Sequence, residues 1–169
     1  GAAHQRPQSF TITHDGATIT SGTRSGIDFS FIKKTHIDSQ FIRKFKTKLG
    51  SINVSSPELT AIDLIENQYK VGGLNRVCTV MNELADSLDF SNVDDSFFRI
   101  YGVPVYQRLG YILDEVLEES ELADSLLARL KSLDVVFRKT SFKTGKDTIG
   151  CDINEKWKII INQEIEIDE

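Results

Sequence analysis

The strongest constraint in this sequence is a stripe of apolar residues between positions 74 and 88. Leu74, Val77, Cys78, Met81, Leu84, Ala85 and Leu88 recur at i, i+3, i+4 and i+7, the spacing that lines up side chains on one face of an α-helix. Such a face has to be buried against another layer, so the chain must build at least a second one. Gly72-Gly73 stands directly before the stripe and separates it from an earlier helical pattern, Leu59, Ile62, Ile65 and Tyr69. That earlier helix opens at Ser55-Ser56-Pro57-Glu58. A serine there caps, Pro57 suits the first turn, and Glu58 reaches back as in a capping box.

The helical region continues beyond the stripe. A third helix is expected near Asp94, interrupted and restarted at Gly102 and Pro104. Val105, Leu109, Ile112, Leu113 and Val116 would form the buried face of the restarted helix, and Leu122, Leu126, Leu127 and Leu130 that of a last short one.

Strand patterns flank these helices. Phe10–Thr13 and Ala17–Thr20 lie on either side of His14-Asp15-Gly16, a hairpin signal. Ile27–Phe31 alternates with period two, as do residues 41–46, and Ile52-Asn53-Val54 follows Gly50. Near the end, Val135 and Phe137 precede a polar loop over Lys143–Asp152. Trp157, Ile159, Ile161, Ile165 and Ile167 then fall on one face of an expected long strand, with Lys156, Lys158, Asn162, Glu164 and Glu166 on the other. The expected class is α+β: antiparallel β-strands at the N- and C-terminal ends, with a central group of about four to five helices packed on the sheet, in a single domain over residues 1–169.

Composition narrows the function classes. No apolar run approaches the roughly 20 residues that span a bilayer. The net charge of −5, from 20 basic and 25 acidic residues, disfavours the chain as a stand-alone binder of nucleic-acid backbone. Charge is segregated: Lys33, Lys34, Arg43, Lys44, Lys46 and Lys48 cluster, and residues 83–125 are rich in acids. These regions read as solvated faces or as partner surfaces. Cys78 falls on the helical stripe and Cys151 in the polar loop, so both read as reduced thiols of a cytoplasmic protein. The start, Gly1-Ala2-Ala3, lacks Met and any signal-peptide pattern, and the natural protein is expected to continue upstream.

Catalytic constellations are not recognisable. His4, His14 and His36 have no zinc-ligand spacing, so no metal is expected. No G-x-S-x-G context marks a nucleophile. Asp28 lies on a strand, but the Asp/Glu-x-Lys element of metal-dependent nucleases is missing. In Glu155-Lys156-Trp157-Lys158 the adjacent acid and lysine would point to opposite strand faces.

The turn Lys70-Val71-Gly72-Gly73-Leu74-Asn75-Arg76 is more informative. Its glycines permit a sharp turn, a helix starting there aims N–H groups outward, and Lys70, Asn75 and Arg76 add donors for an anion. The simpler reading is a tight helix–helix turn. Arg108, in Gln107-Arg108-Leu109-Gly110-Tyr111, either pairs with an acid on the next helix or faces a ligand, and Gly110 allows close packing. Trp157 among isoleucines reads as a core anchor. The candidate ligand- or partner-binding set is therefore Lys70, Gly72, Gly73, Asn75, Arg76 and Arg108, with no catalytic residue and no cofactor.

Residues 1–8, Ser56–Leu64, Gly72–Val77, Gln107–Leu113 and Lys156–Ile159 appear in an order that resembles the C-terminal domain of AbiEi-type antitoxins. Gly-Gly-Leu-Asn-Arg and Arg-Leu-Gly-Tyr-Ile-Leu are the most specific of these segments. The resemblance implies a bacterial transcriptional regulator and antitoxin linked to abortive infection, a type IV toxin–antitoxin system of phage defence. It implies a co-encoded nucleotidyltransferase-like toxin that is opposed without a required stable complex. It also implies a winged helix-turn-helix upstream of Gly1, which alone would contact DNA, and it supplies no catalytic residue. Two other classes stay open on the residues alone: a phosphate- or nucleotide-handling enzyme using Lys70, Asn75 and Arg76, and a ligand-sensing or dimerisation module, possible as a homo-oligomer.

Overall fold

The computed structural model describes residues 9–14, 22–24, 27–33, 39–47 and 50–167. The chain separates into two compact units, Gly1–Val54 and Ser55–Glu169, a division that the single-domain reading did not contain.

In the first unit, β1 (Ser9–His14), β2 (Gly22–Arg24) and β3 (Ile27–Lys33) form a sheet of order β1-β3-β2. β1 runs parallel to β3, from Ser9 opposite Asp28 to His14 opposite Lys33, and β2 is antiparallel to β3. The expected purely antiparallel arrangement is thus corrected: this sheet is mixed. β2 lies between β1 and β3 in sequence and runs opposite to β3, so the chain has reversed twice by the time β3 lies alongside β1 in the same direction. The Ala17–Thr20 arm of the expected hairpin lies outside the described residues. β4 (Ile42–Thr47) and β5 (Gly50–Ser55) pair as a second, two-stranded sheet.

The second unit is built around helices. α1 (Pro57–Glu66) starts as its sequence dictates: the Ser56 hydroxyl accepts from the Leu59 N–H at 3.2 Å, with Pro57 in the first turn. Glu58 accepts from the Asp89 backbone N–H. α1 ends at Asn67, so Tyr69 leaves the apolar stripe on which helical spacing placed it and stands 60% exposed. α2 (Leu74–Leu84) buries Leu74, Val77, Cys78 and Met81, and the stripe continues through Ala85 and Leu88. Short 3-10 turns follow at Ala85–Ser87 and Asp95–Arg99; the second, capped by the Asp94 carboxylate, is all that forms of the third helix expected near Asp94.

α3 (Val103–Tyr111) is the central helix, packed on α1 and on α4 (Ser120–Ser132). Every residue from Val105 to Leu113 is buried. The expected continuous helix to Val116 is corrected in one respect. After Tyr111 the backbone widens into a π-helical turn over Ile112–Val116, closed by the Leu117 N–H on the Ile112 carbonyl at 2.9 Å. Trp157 is the anchor that its surroundings predicted, fully buried over Gly110. A Cβ at Gly110 would lie 2.1–2.3 Å from three atoms of the indole, so the helix must present bare backbone there.

The long final strand is not formed. β6 (Thr140–Ser141), β7 (Ile153–Asn154) and β8 (Ile159–Ile160) make a small sheet of order β6-β8-β7, parallel between β6 and β8 and antiparallel between β7 and β8. Trp157 therefore lies in the turn between β7 and β8. Two local features impose that turn: the Asn154 side-chain carbonyl accepts the Trp157 N–H at 2.9 Å, and Lys158 adopts φ +52°. The expected alternation then slips. The Asn162 N–H donates back to the Ile160 carbonyl, a three-residue turn that rotates Asn162 inward to 5% exposure, although its position in the pattern put it on the wet face. Beyond it the alternation resumes, with Ile165 and Ile167 half-buried and Glu164 and Glu166 exposed.

Candidate functional site

The turn between α1 and α2 holds most of the candidate residues. The Lys70 and Val71 N–H groups both donate to the Asn67 carbonyl, and the Gly73 N–H closes the turn on the Gln68 carbonyl at 2.7 Å. Gly72 (φ +107°) and Gly73 (φ +90°) occupy backbone conformations that L side chains rarely adopt, which is why the sequence needs both glycines. Gly73 is the N-cap of α2, and no side chain caps the helix there. Lys70 is exposed and Arg76 half-buried. The aliphatic part of Arg76 runs past Gly72, 3.4 Å from where a Cβ would stand. Asn75 is exposed and faces the C-terminal segment, its side-chain oxygen accepting the Glu166 N–H at 3.2 Å.

Arg108 is placed differently. It is 8% exposed on α3, and its Nε donates to the Ser141 carbonyl at 2.9 Å. Its Nη2 lies 3.4 Å from the Thr140 hydroxyl. Of the two readings open in the sequence, an acid on the next helix is not its partner; a backbone carbonyl of β6 is. Burial lowers its pKa, and the nearby Glu66 and Tyr69 oppose that shift. Glu66 and Tyr69 belong to the end of α1 and the turn after it, so Arg108 lies within electrostatic reach of that turn.

Tyr69 is the link that sequence reasoning missed. Its hydroxyl donates to the Thr144 carbonyl and accepts from the Thr144 hydroxyl, tying the α1–α2 turn to the polar loop after β6. No local signal marks such a contact, because the two residues are 75 positions apart. Asp63 is a second missed residue. It is buried on α1 and accepts the Tyr101 hydroxyl at 2.6 Å, and the pKa of Tyr101 is raised by burial and by that bond. The arrangement offers one exposed ammonium, one half-buried guanidinium and open helix N–H groups around two glycines. That is the equipment for holding an anion or a polar partner surface.

Among the described residues no cluster of His, Cys, Asp and Glu has the geometry of a metal site, and no helix is long and apolar enough to cross a membrane. Cys78 is buried, with its thiol pKa pushed up to about 12 by burial, and Cys151 lies free in the loop. No curated protein and no solved structure matches the chain. A family model does, that of the AbiEi antitoxin C-terminal domain, over residues 1–115. The matched span contains the α1–α2 turn and Arg108, and with more than half of the sequence inside it the chain belongs to the AbiEi antitoxin family.

Proposed function

We propose that the chain is the regulatory antitoxin domain of a bacterial transcriptional regulator in phage defence. It opposes a co-encoded nucleotidyltransferase-like toxin without forming a required stable complex, and without catalysis of its own. A winged helix-turn-helix upstream supplies operator binding. The family match over residues 1–115 carries this reading. The net charge of −5 supports assigning DNA contact elsewhere. Within the domain, the working face is the Gly72–Gly73 turn, with Lys70, Asn75 and Arg76 as its polar groups and Arg108 as a buried cation within electrostatic reach of it.

Co-expression tests both levels. Intact protein should restore growth to cells expressing the adjacent toxin, and deletion of residues 1–169 from it should abolish protection. Protection that survives the deletion rejects the antitoxin role. Charge reversal at Lys70 and Arg76 should weaken protection while the thermal midpoint stays at the parent value. Full protection by that double variant removes the turn as the working face and leaves the role intact. Arg108→Met should lose stability and protection together, because its guanidinium holds β6.

A further inference from the structure

Between α4 and the segment that follows it lies a groove of about 450 Å³, on the scale of a small-ligand or short-peptide site. Leu127, Leu130, Val135 and Phe137 give it an apolar lining, and Val136 lines it while remaining 75% exposed. Phe137 stacks on Trp157 at an interplanar angle of 27°, ring centroids 5.9 Å apart. Lys131, Lys156 and Lys158 complete the lining. Lys156 is already neutralised by Asp114 and Asp124, each at 2.7 Å. Lys131 and Lys158 are exposed and make no ion pair among the described residues, and the same holds for Arg138 and Lys139 just beyond. Asp134 is the one acid between Leu127 and Lys139. A locally cationic groove has thus formed on a chain whose net charge is −5.

The backbone adds a second observation. The N–H groups of Val136, Phe137, Arg138 and Lys139 donate no hydrogen bond among the described residues. They run directly into β6, the outer strand of its sheet on that side. In an extended segment successive N–H groups point to alternate sides, so every second one of these donors faces the open side, and such a spacing leading into a sheet edge is what strand addition uses.

We propose that this groove docks an acidic peptide segment of a partner protein, held extended along residues 136–139. Its alternate apolar side chains enter the groove, and its carboxylates face Lys131 and Lys158. Charge complementarity selects this occupant: outward backbone donors and uncommitted ammonium groups border the apolar lining, so a partner with backbone acceptors and carboxylates matches both. A nucleic-acid strand fits less well. One face of Phe137 is already taken by Trp157, and the overall negative charge repels phosphates. The surface lies beyond the family-matched residues 1–115 and does not depend on the antitoxin reading.

Trp157 is the sole tryptophan and backs Phe137, so its emission reports on the groove. The test titrates the full chain with a labelled synthetic peptide of alternating glutamate and valine, reading Trp157 emission and peptide anisotropy. Lysine–valine and glutamate–serine peptides serve as controls. The glutamate–valine peptide should bind saturably and more weakly at high salt. K131E combined with K158E, and separately V136D, should each weaken it by about tenfold. All three positions are exposed, so unchanged thermal midpoints should show that the variants fold. Absence of binding, equal binding of either control peptide, or indifference to both variants overturns the proposal. Displacement by a single-stranded oligonucleotide overturns it in favour of nucleic acid. A concentration-dependent dimer that V136D dissolves overturns it in favour of a second copy.

Discussion

Replacing Gly110 by alanine should destabilise the second unit strongly, although alanine is the better helix former. The new Cβ would stand 2.1 Å from Trp157 Cζ3 and 2.3 Å from Cε3 and Cη2. Carbon atoms pack at roughly 3.5–4.0 Å, so the ring or the helix has to yield by more than an ångström. Neither side has slack. Trp157 is fully buried, donates from Nε1 to Asp114 at 3.0 Å, and lies against Phe137. Overpacking of this kind costs about 1–3 kcal/mol, and loosening a hydrogen bond to a carboxylate adds about 1.5–3 kcal/mol. The intrinsic helical advantage of alanine returns only about 1 kcal/mol. A net loss of about 3 kcal/mol is expected. Urea unfolding followed by Trp157 emission should therefore show a midpoint lower by about 1 M or more, for a denaturant slope of about 1–3 kcal/mol/M. Trp157→Leu removes the ring, and in that background Gly110→Ala should become neutral or favourable, read by far-ultraviolet circular dichroism. A Gly110→Ala protein as stable as its parent with Trp157 in place would refute the close approach of ring and helix.

Asn162→Ala should cost about 2–3 kcal/mol, because the side chain accepts the Lys143 N–H and donates to the Lys143 and Lys146 carbonyls, which would lose a buried partner; thermal unfolding checks it, and a loss below about 0.5 kcal/mol would rule out the asparagine as the clasp of this loop. Burial alone would raise the pKa of Asp114, but hydrogen bonds from Lys156 and Trp157 prevail and hold it below the ordinary carboxylate value. A lowered folded pKa stabilises the fold above the unfolded value of about 3.9 and loses that contribution as pH falls through the folded value. The stability advantage of the parent over Asp114→Asn should thus be full at about pH 6 and fade below about pH 4, and a constant difference down to about pH 2 would show that charge is not its source. Cys78, with its thiol pKa pushed up to about 12 and its side chain buried, should resist a thiol reagent until the protein unfolds, whereas Cys151 reacts at once. Labelling of both at equal rates in native buffer would contradict the burial of Cys78.

The helices were legible in the sequence for a physical reason: each carries its own signal. Ser56-Pro57 caps α1, the glycine pair starts α2, and the period of the stripe survives because burial on one face selects each position separately. The strands at the end were misread because period-two alternation does not encode where a chain turns. Trp157 and Ile159 fall on the buried face in either arrangement, so the pattern could not reveal the Asn154–Trp157 turn or the slip at Asn162. The parallel pairing of β1 with β3 was hidden likewise, since a strand does not name its partner. Within the site, Gly72 and Gly73 were readable because positive φ demands glycine. The contact of Tyr69 with Thr144 and the anchoring of Arg108 on Ser141 were not, because they depend on how distant segments return.

That return explains why the residues of the family match cannot account for their own stability. The match ends at Glu115, yet the central helix inside it is covered by residues beyond it. Gln107 donates to the Arg138 and Trp157 carbonyls at 2.8 and 2.9 Å, and Arg108 to the Ser141 carbonyl. Gly110 is capped by Trp157, and the Tyr111 ring meets Phe142 edge-on at 4.9 Å. A chain ending at Glu115 would strip partners from four of the five residues between Gln107 and Tyr111 of α3. Each orphaned polar side chain costs about 1–3 kcal/mol and each uncovered large apolar one about 1.5–3 kcal/mol. Those losses together approach the roughly 5–15 kcal/mol by which a domain of this size is stable. The truncated protein should retain helical signal in the far ultraviolet, lose near-ultraviolet structure and bind a hydrophobic dye, as a loosely packed state does. Cooperative unfolding of residues 1–115 with parent-like protection of the α3 amides from hydrogen exchange would refute this dependence. It would also make the C-terminal segment an addition to the fold instead of a part of its core.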